Sequence, residues 1–223
     1  MSKSRSQPLT RPNNRPNNRP ITQPLKQPSQ QRSKVTVQAI LEAAIHIFDE
    51  YGYAAGTTSR IASRAGVSIG SLYQYFPNKD SILTALAEQH LAEGLALSMR
   101  LLETLRTTTQ ALEPVLHDIV GHMIALHEHN PGLHRLLYEE GLLPAQLRQT
   151  AKQAEQFLIE EVARCLSLRA DVAAVADRQM QAYFVVHAIE HFTHRLVIDQ
   201  APVEFQLRGK SELVGMLQRY LQA

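Results

Sequence analysis

With 223 residues, ten glycines, no tryptophan and a single cysteine at position 165, the chain can hold a small module joined to a larger one, and it cannot form an intrachain disulfide. Alanine, leucine, glutamate, glutamine and arginine favour helix over strand. No stretch approaches the ~20 apolar residues of a membrane-spanning helix, since the best candidate, "AYFVVHAIEHF", is broken by two histidines and a glutamate. The expectation is an all-α, soluble protein of the reducing cytosol, without a secretory signal.

The formal charge of +2 conceals a division: residues 1–34 hold eight bases and no acid, leaving 15 bases against 21 acids in the remainder. In this arm prolines stand at 8, 12, 16, 20, 24 and 28, denying a helix its hydrogen bonds, and almost no large apolar side chain is available to bury. Residues 1–33 are therefore expected to be a disordered, basic, proline-rich arm. It is either a polycation that adds salt-dependent affinity for DNA phosphates or a solvated tail.

From Val35 the pattern changes. Val37, Ile40, Leu41, Ala44, Ile45 and Phe48 recur at three- and four-residue steps, predicting an amphipathic helix that ends at Gly52. "TTSRIASRAG" opens on hydroxyl residues suited to an N-cap and closes on Gly66, predicting a helix of about two turns. Ser68 then caps a third short helix that runs to Tyr75 or Phe76, where Pro77 forces the chain out, and Asn78 caps a much longer fourth. Small Ala62 and Gly66 followed by apolar Leu72 suit two steeply crossing helices joined by a tight turn, a helix-turn-helix.

Residues 35–83, above all "TTSRIASRAGVSIGSLYQYFPNKDSIL", resemble the N-terminal DNA-binding domain of the tetracycline-repressor (TetR) family of bacterial transcription regulators. The resemblance runs through the threonine pair, "IA", "AGVS", "G.LY.YF" and the lysine opening the fourth helix. It divides the chain into a helix-turn-helix domain at 34–80 and a larger domain at 81–223.

A two-turn helix on a rigid scaffold fits the major groove, where base edges display distinct donors and acceptors. Leu72 and Phe76 face inward, which leaves Ile69, Gly70, Ser71, Tyr73, Gln74 and Tyr75 for the outer and flanking faces. Gln74 is the candidate for a bidentate contact to adenine, Ile69 could touch a thymine methyl, and Gly70 lets the backbone approach closely. Thr57, Thr58, Ser68, Tyr73, Tyr75 and Lys79 are candidates for phosphate contacts, with Lys34 and Arg60 in support. Alternatively Tyr73 and Tyr75 pack on the first helix, because the two cannot both point fully outward.

Breaks at Thr107–Gln110, Pro131-Gly132, Gly141–Pro144, Leu168–Asp171 and Gln200–Pro202 give about nine helices in all. The family resemblance implies that helices at 111–129 and 144–167 line a ligand cavity, and that helices at 172–199 and 203–221 form a four-helix bundle in a homodimer. Independently, Ala182, Val185, Ile189, Phe192 and Leu196 make one apolar stripe, with Tyr183, His187, His191 and His194 almost opposite. His187, His191, His194, Leu213, Leu217 and Tyr220 are the candidate dimer contacts. Met123, Leu126, His127, Leu137, Tyr138, Phe157, Ile159, Tyr183 and Phe184 are the candidate cavity residues, a mostly apolar set with a few polar tips.

The spacing of His187, His191 and His194 could hold zinc, but no carboxylate or cysteine is committed to completing the shell, so no metal or cofactor is assigned. Cys165 has no ordered histidine nearby, and no phosphate loop or nucleophile elbow is present, so an enzyme is not expected. The resulting expectation is a cytoplasmic, nucleoid-associated homodimer that binds a palindromic DNA operator and releases it on binding a small lipophilic or aromatic effector. The alternative is a ligand-independent protein that organises DNA with the same fold.

Overall fold

A computed structural model describes residues 31–223. Most of the predicted disordered arm, residues 1–30, lies outside the described residues. Among the described residues there are nine helices and no strand: α1 (Gln31–Ala55), α2 (Thr58–Arg64), α3 (Ile69–Tyr75), α4 (Lys79–Thr107), α5 (Leu112–His129), α6 (Pro131–His134), α7 (Ala145–Ser167), α8 (Arg178–Ile198) and α9 (Val203–Gln222). None is long and apolar enough to cross a membrane.

The short N-terminal helices end where local chemistry stops them. Gly52, at φ 72°, breaks α1 where the periodicity predicted its end. Thr57 caps α2 by accepting from the Arg60 amide. Its far end closes through Gly66, at φ 67°, with Gly66 N–H donating to Ser63 O at 3.2 Å and Val67 N–H to Ala62 O at 3.0 Å. A β-carbon is strained in that left-handed conformation, so glycine makes the turn of the helix-turn-helix possible. Ser68 caps α3 through the Ser71 amide, and Asn78 and Ser81 cap α4 reciprocally.

Two apolar cores organise the chain. The first gathers Ile40, Ala44, Phe48, Ile61, Leu72 and Phe76 with Ile82 and Leu86 from the start of α4. It also takes Leu133, Leu136, Leu137 and Leu147, so a boundary at residue 80 follows the chain but not the packing. The second core joins the distal half of α4 to α5, α7, α8 and α9 through residues such as Leu102, Val120, Leu166, Ala182 and Leu217. Cys165 is buried in it, the structural place expected of an isolated thiol.

Helix α8 starts at Arg178 and not at 172. Asp177 caps it by accepting from the Met180 amide at 2.9 Å, while the preceding segment is held as loop. Ala173 N–H donates to Leu221 O at 2.8 Å, and the Asp171 carboxylate accepts from Leu112 N–H at 2.8 Å. On α8 the buried stripe includes Ala182, Val185, Ile189 and Leu196, but Phe192 stands 38 % exposed and Thr193 occupies the buried position beside it. Between α6 and α7, Glu140 N–H reaches Arg135 O at 3.0 Å, a π turn over Arg135–Glu139 that alters the helical phase of Leu136, Leu137 and Tyr138.

Candidate nucleic-acid interface and internal cavity

Helix α3 is buried through Leu72 and Tyr75 and presents Ile69, Gly70, Tyr73 and Gln74 to solvent. Ile69 is 41 % and Tyr73 45 % exposed. A β-carbon at Gly70 would meet only Ser68 Oγ, at 3.8 Å, so the surface there is open to close approach. Tyr73 and Thr58 share a hydroxyl hydrogen bond at 3.1 Å, which ties the exposed face of α3 to the start of α2. Ser68 and Ser71 share another at 2.8 Å.

Tyr75 is the correction on this face. It is 8 % exposed and belongs to the first core, because residues two apart on a helix lie about 160° apart and only one of the two tyrosines can face out. Lys79 is also partly committed: Nζ donates to Tyr53 O at 2.8 Å and Ala54 O at 3.1 Å and lies 4.4 Å from the Tyr53 ring centre. Its charge thus caps the carboxyl end of α1. The Tyr53 hydroxyl bonds to Asp80, and burial, then that bond, push its pKa up. The Arg60 guanidinium lies 4.2 Å over the ring of Tyr51, and Thr57, Arg60, Arg64 and Lys34 are exposed.

A cavity of about 1090 Å³ runs between α4, α5, α7 and α8. Its walls are mostly apolar, with Leu91, Leu95, Met99 and Leu102 from α4 facing Phe157, Leu158 and Val162 from α7. Of the predicted lining, Met123, Leu126, His127, Tyr138 and Phe157 are in place. Four are not. Leu137 is 1 % exposed and packs in the first core, Ile159 is 8 % exposed and packs in the second, and Tyr183 and Phe184 stand 47 % and 56 % exposed on the outside of α8.

One end of the cavity is polar. His90 of α4, His127 of α5, His134 of α6 and His194 of α8 converge on it with Tyr138. His134 has ring centres of His90 at 4.2 Å, His127 at 4.5 Å and His194 at 5.5 Å, and His127 and His194 are 5.5 Å apart. His127 and His134 are 4 % and 3 % exposed. His127 Nδ1, both His134 nitrogens and His194 Nε2 are buried without a protein hydrogen-bond partner. Burial, then the neighbouring imidazoles, lower His127 to about 4 and His134 to about 2, and burial lowers His90 and His194 as well. Burial, then the Glu190 charge, push Tyr138 up to about 12. No sequence spacing announced this cluster, because its members come from four helices.

The predicted trio His187, His191 and His194 is divided. His194 turns into the cluster, while His187 Nε2 lies 3.3 Å from Glu155 Oε1 and His191 Nδ1 lies 3.1 Å from His187 O. His187, Glu190 and His191 bring ligand atoms within 4.8 Å of one another. Leu213 and Leu217, expected at a dimer contact, are 4 % and 1 % exposed inside the second core, since the inner stripe of α9 is needed to cover α5. The outward faces of α8 and α9 carry Met180, Tyr183, Phe184, Met216 and Tyr220, with the Phe184 and Tyr220 rings 6.3 Å apart.

Residues 40–86 match the model of the bacterial regulatory proteins of the tetR family, and residues 111–221 match the tetracyclin repressor-like C-terminal domain. The chain is 32 % identical over 160 residues to the nucleoid occlusion factor SlmA of Haemophilus influenzae, covering 69 % of this chain and 71 % of that one. Its fold is shared by a TetR family transcription regulator from Marinobacter aquaeolei, at a TM-score of 0.60 and 17 % identity over 86 % of this chain and 97 % of that one. It is shared equally by the transcriptional regulator FadR from Bacillus subtilis, solved in complex with stearoyl-CoA, at a TM-score of 0.60 and 20 % identity over 81 % and 96 % of the two chains. With a capped helix-turn-helix on one core, a helical cavity domain on the other and matches to both family models, the chain belongs to the TetR family of DNA-binding bacterial transcription regulators.

Proposed function

We propose that the chain is a homodimeric repressor that leaves a palindromic operator when a lipophilic effector enters the cavity. The carrying observation is the cavity of about 1090 Å³, whose α4 wall is one continuous helix beginning at Lys79, beside the reading helix. A ligand that changes how α4 packs changes the placement of α3. A coupling of about 1–3 kcal/mol weakens DNA binding 5- to 150-fold. The apolar walls suit a long hydrocarbon chain, and the similarly folded Bacillus subtilis regulator holds stearoyl-CoA.

In this reading Gln74 and Ile69 meet base edges, while Thr57, Thr58, Ser68, Ser71, Tyr73, Arg60, Lys34 and the remaining Lys79 donor meet phosphates. The exposed apolar side chains of α8 and α9 meet the second copy, which sets half-sites about 34–36 Å apart or a multiple of that. The test is operator selection from random duplexes, followed by titration with long-chain acyl thioesters. Palindromic enrichment and release by ligand are expected, and a selected operator that no bound lipophile releases rejects the switch.

A second reading has its own support in the Haemophilus influenzae nucleoid occlusion relative. A DNA-organising protein would occupy many chromosomal sites and be indifferent to small molecules. Mapping bound sites across the genome separates the two.

A further inference from the structure

We infer that His90, His127, His134 and His194 form a binding site for one divalent transition metal ion of the zinc class. The centres of His127, His134 and His194 form a triangle with edges of 4.5, 5.5 and 5.5 Å, and His90 stands 4.2 Å from His134. Imidazoles that share a tetrahedral ion at nitrogen distances of about 2.0–2.1 Å have ring centres about 5 Å apart. Four buried nitrogens on three of these rings have no protein partner, and ligation of one ion would occupy three of them, one from each ring.

The unpartnered buried nitrogens, four here against His187 Nδ1 alone there, favour this cluster over the rim group His187, Glu190 and His191. That group has its ligand atoms closer together, within 4.8 Å, but His187 already faces Glu155 and His191 contacts a backbone carbonyl. The cluster's nitrogens do not meet that distance, so its rings must turn about their Cβ–Cγ bonds to share an ion. They border the cavity, which leaves room to do so. Nitrogen-only ligation suits zinc, cobalt, nickel or copper and disfavours magnesium or calcium.

The test uses the full-length chain without a purification tag, freed of metal by chelation and titrated with Co²⁺ as a visible reporter for Zn²⁺. One Co²⁺ per protomer is expected, with the ligand-field absorption of a low-coordinate nitrogen site that Zn²⁺ displaces. His134→Ala and His127→Ala each weaken binding more than tenfold, whereas the double variant His187→Ala/His191→Ala binds as the parent does. Absence of saturable binding, full binding by His134→Ala, or loss in the rim variant overturns the assignment. Should the buried variants fail to fold, X-ray absorption of the zinc-loaded parent decides: three or four imidazoles support the cluster, and two imidazoles with carboxylates overturn it.

Discussion

Arg135 Nη2 donates to Asp49 Oδ1 at 2.7 Å, joining the turn after α6 to α1 across 86 residues of chain. His134, next to Arg135, belongs to the buried cluster, so the polar end of the cavity is one residue from a direct link to α1 of the N-terminal domain. The partners are 42 % and 53 % exposed, and such pairs contribute at most about 1 kcal/mol to stability. Asp49→Ala and Arg135→Ala should therefore shift unfolding free energy by less than about 1 kcal/mol while reducing the effector-induced change in operator affinity. A double-mutant cycle on that change should show the two acting as one unit. Independent, additive effects would place the communication elsewhere, for instance along α4.

Tyr73 and Tyr75 should separate cleanly. Tyr75→Ala removes a ring that is 8 % exposed in the first core and should cost about 3–5 kcal/mol, read as a fall in denaturation midpoint. Tyr73→Phe leaves the core intact and removes only the hydroxyl shared with Thr58 at 3.1 Å. It should preserve stability within about 1 kcal/mol and weaken DNA binding, read by anisotropy of a labelled operator duplex. Unchanged DNA affinity would take Tyr73 off the contact surface.

The helix-turn-helix is legible in the sequence because its determinants are local. Gly66, Ser68, Pro77 and Asn78 each act on the backbone within a few residues, so the ends of α2, α3 and α4 could be read in order. Which tyrosine turns inward depends on which side of α3 the first core lies, and that is a tertiary fact. Leu137 and Tyr138 are neighbours in sequence, yet one enters the first core and the other the cavity, because the π turn fixes a phase that periodicity does not reveal. The start of α8 was misplaced for a related reason: Asp171 and Ala173 make long-range bonds that hold their segment out of the helix. Four histidines spread over residues 90–194 carry no common spacing at all, so only packing brings them together.

Asp171 should make the second core acid-sensitive. Its carboxylate accepts from Arg169 Nε and Nη2, both at 2.8 Å, and from Leu112 N–H at 2.8 Å. The Arg169 hydrogen bonds, against an opposing push from desolvation, hold it below the ordinary carboxylate range. A carboxyl group with a depressed folded-state pKa contributes stability that is complete above the unfolded-state value of about 3.9 and is lost as pH falls toward the lower folded-state value. Asp171→Asn should cost about 2 kcal/mol at neutral pH, since it weakens bonds to a charged partner, and should flatten stability against pH below about 4. Denaturant midpoints across the acid range, parent against variant, check this, and parallel curves would contradict it.

Gly94 offers a direct control over the cavity. It lies in α4 on the cavity wall, and a β-carbon there would meet only Leu126 Cδ2 at 4.0 Å, an ordinary contact. Gly94→Ala should therefore stabilise the protein by about 0.5–1 kcal/mol, because alanine forms helix better and nothing must move. Gly94→Phe projects a ring toward the same space and should reduce affinity for long-chain acyl ligands more than tenfold. Operator affinity without ligand should remain that of the parent in both variants, because the first core and α3 are untouched. Calorimetric ligand titration beside operator binding separates the outcomes: undiminished ligand affinity in Gly94→Phe would move the effector site away from this wall, whereas lost operator binding would show that α4 does not tolerate the ring.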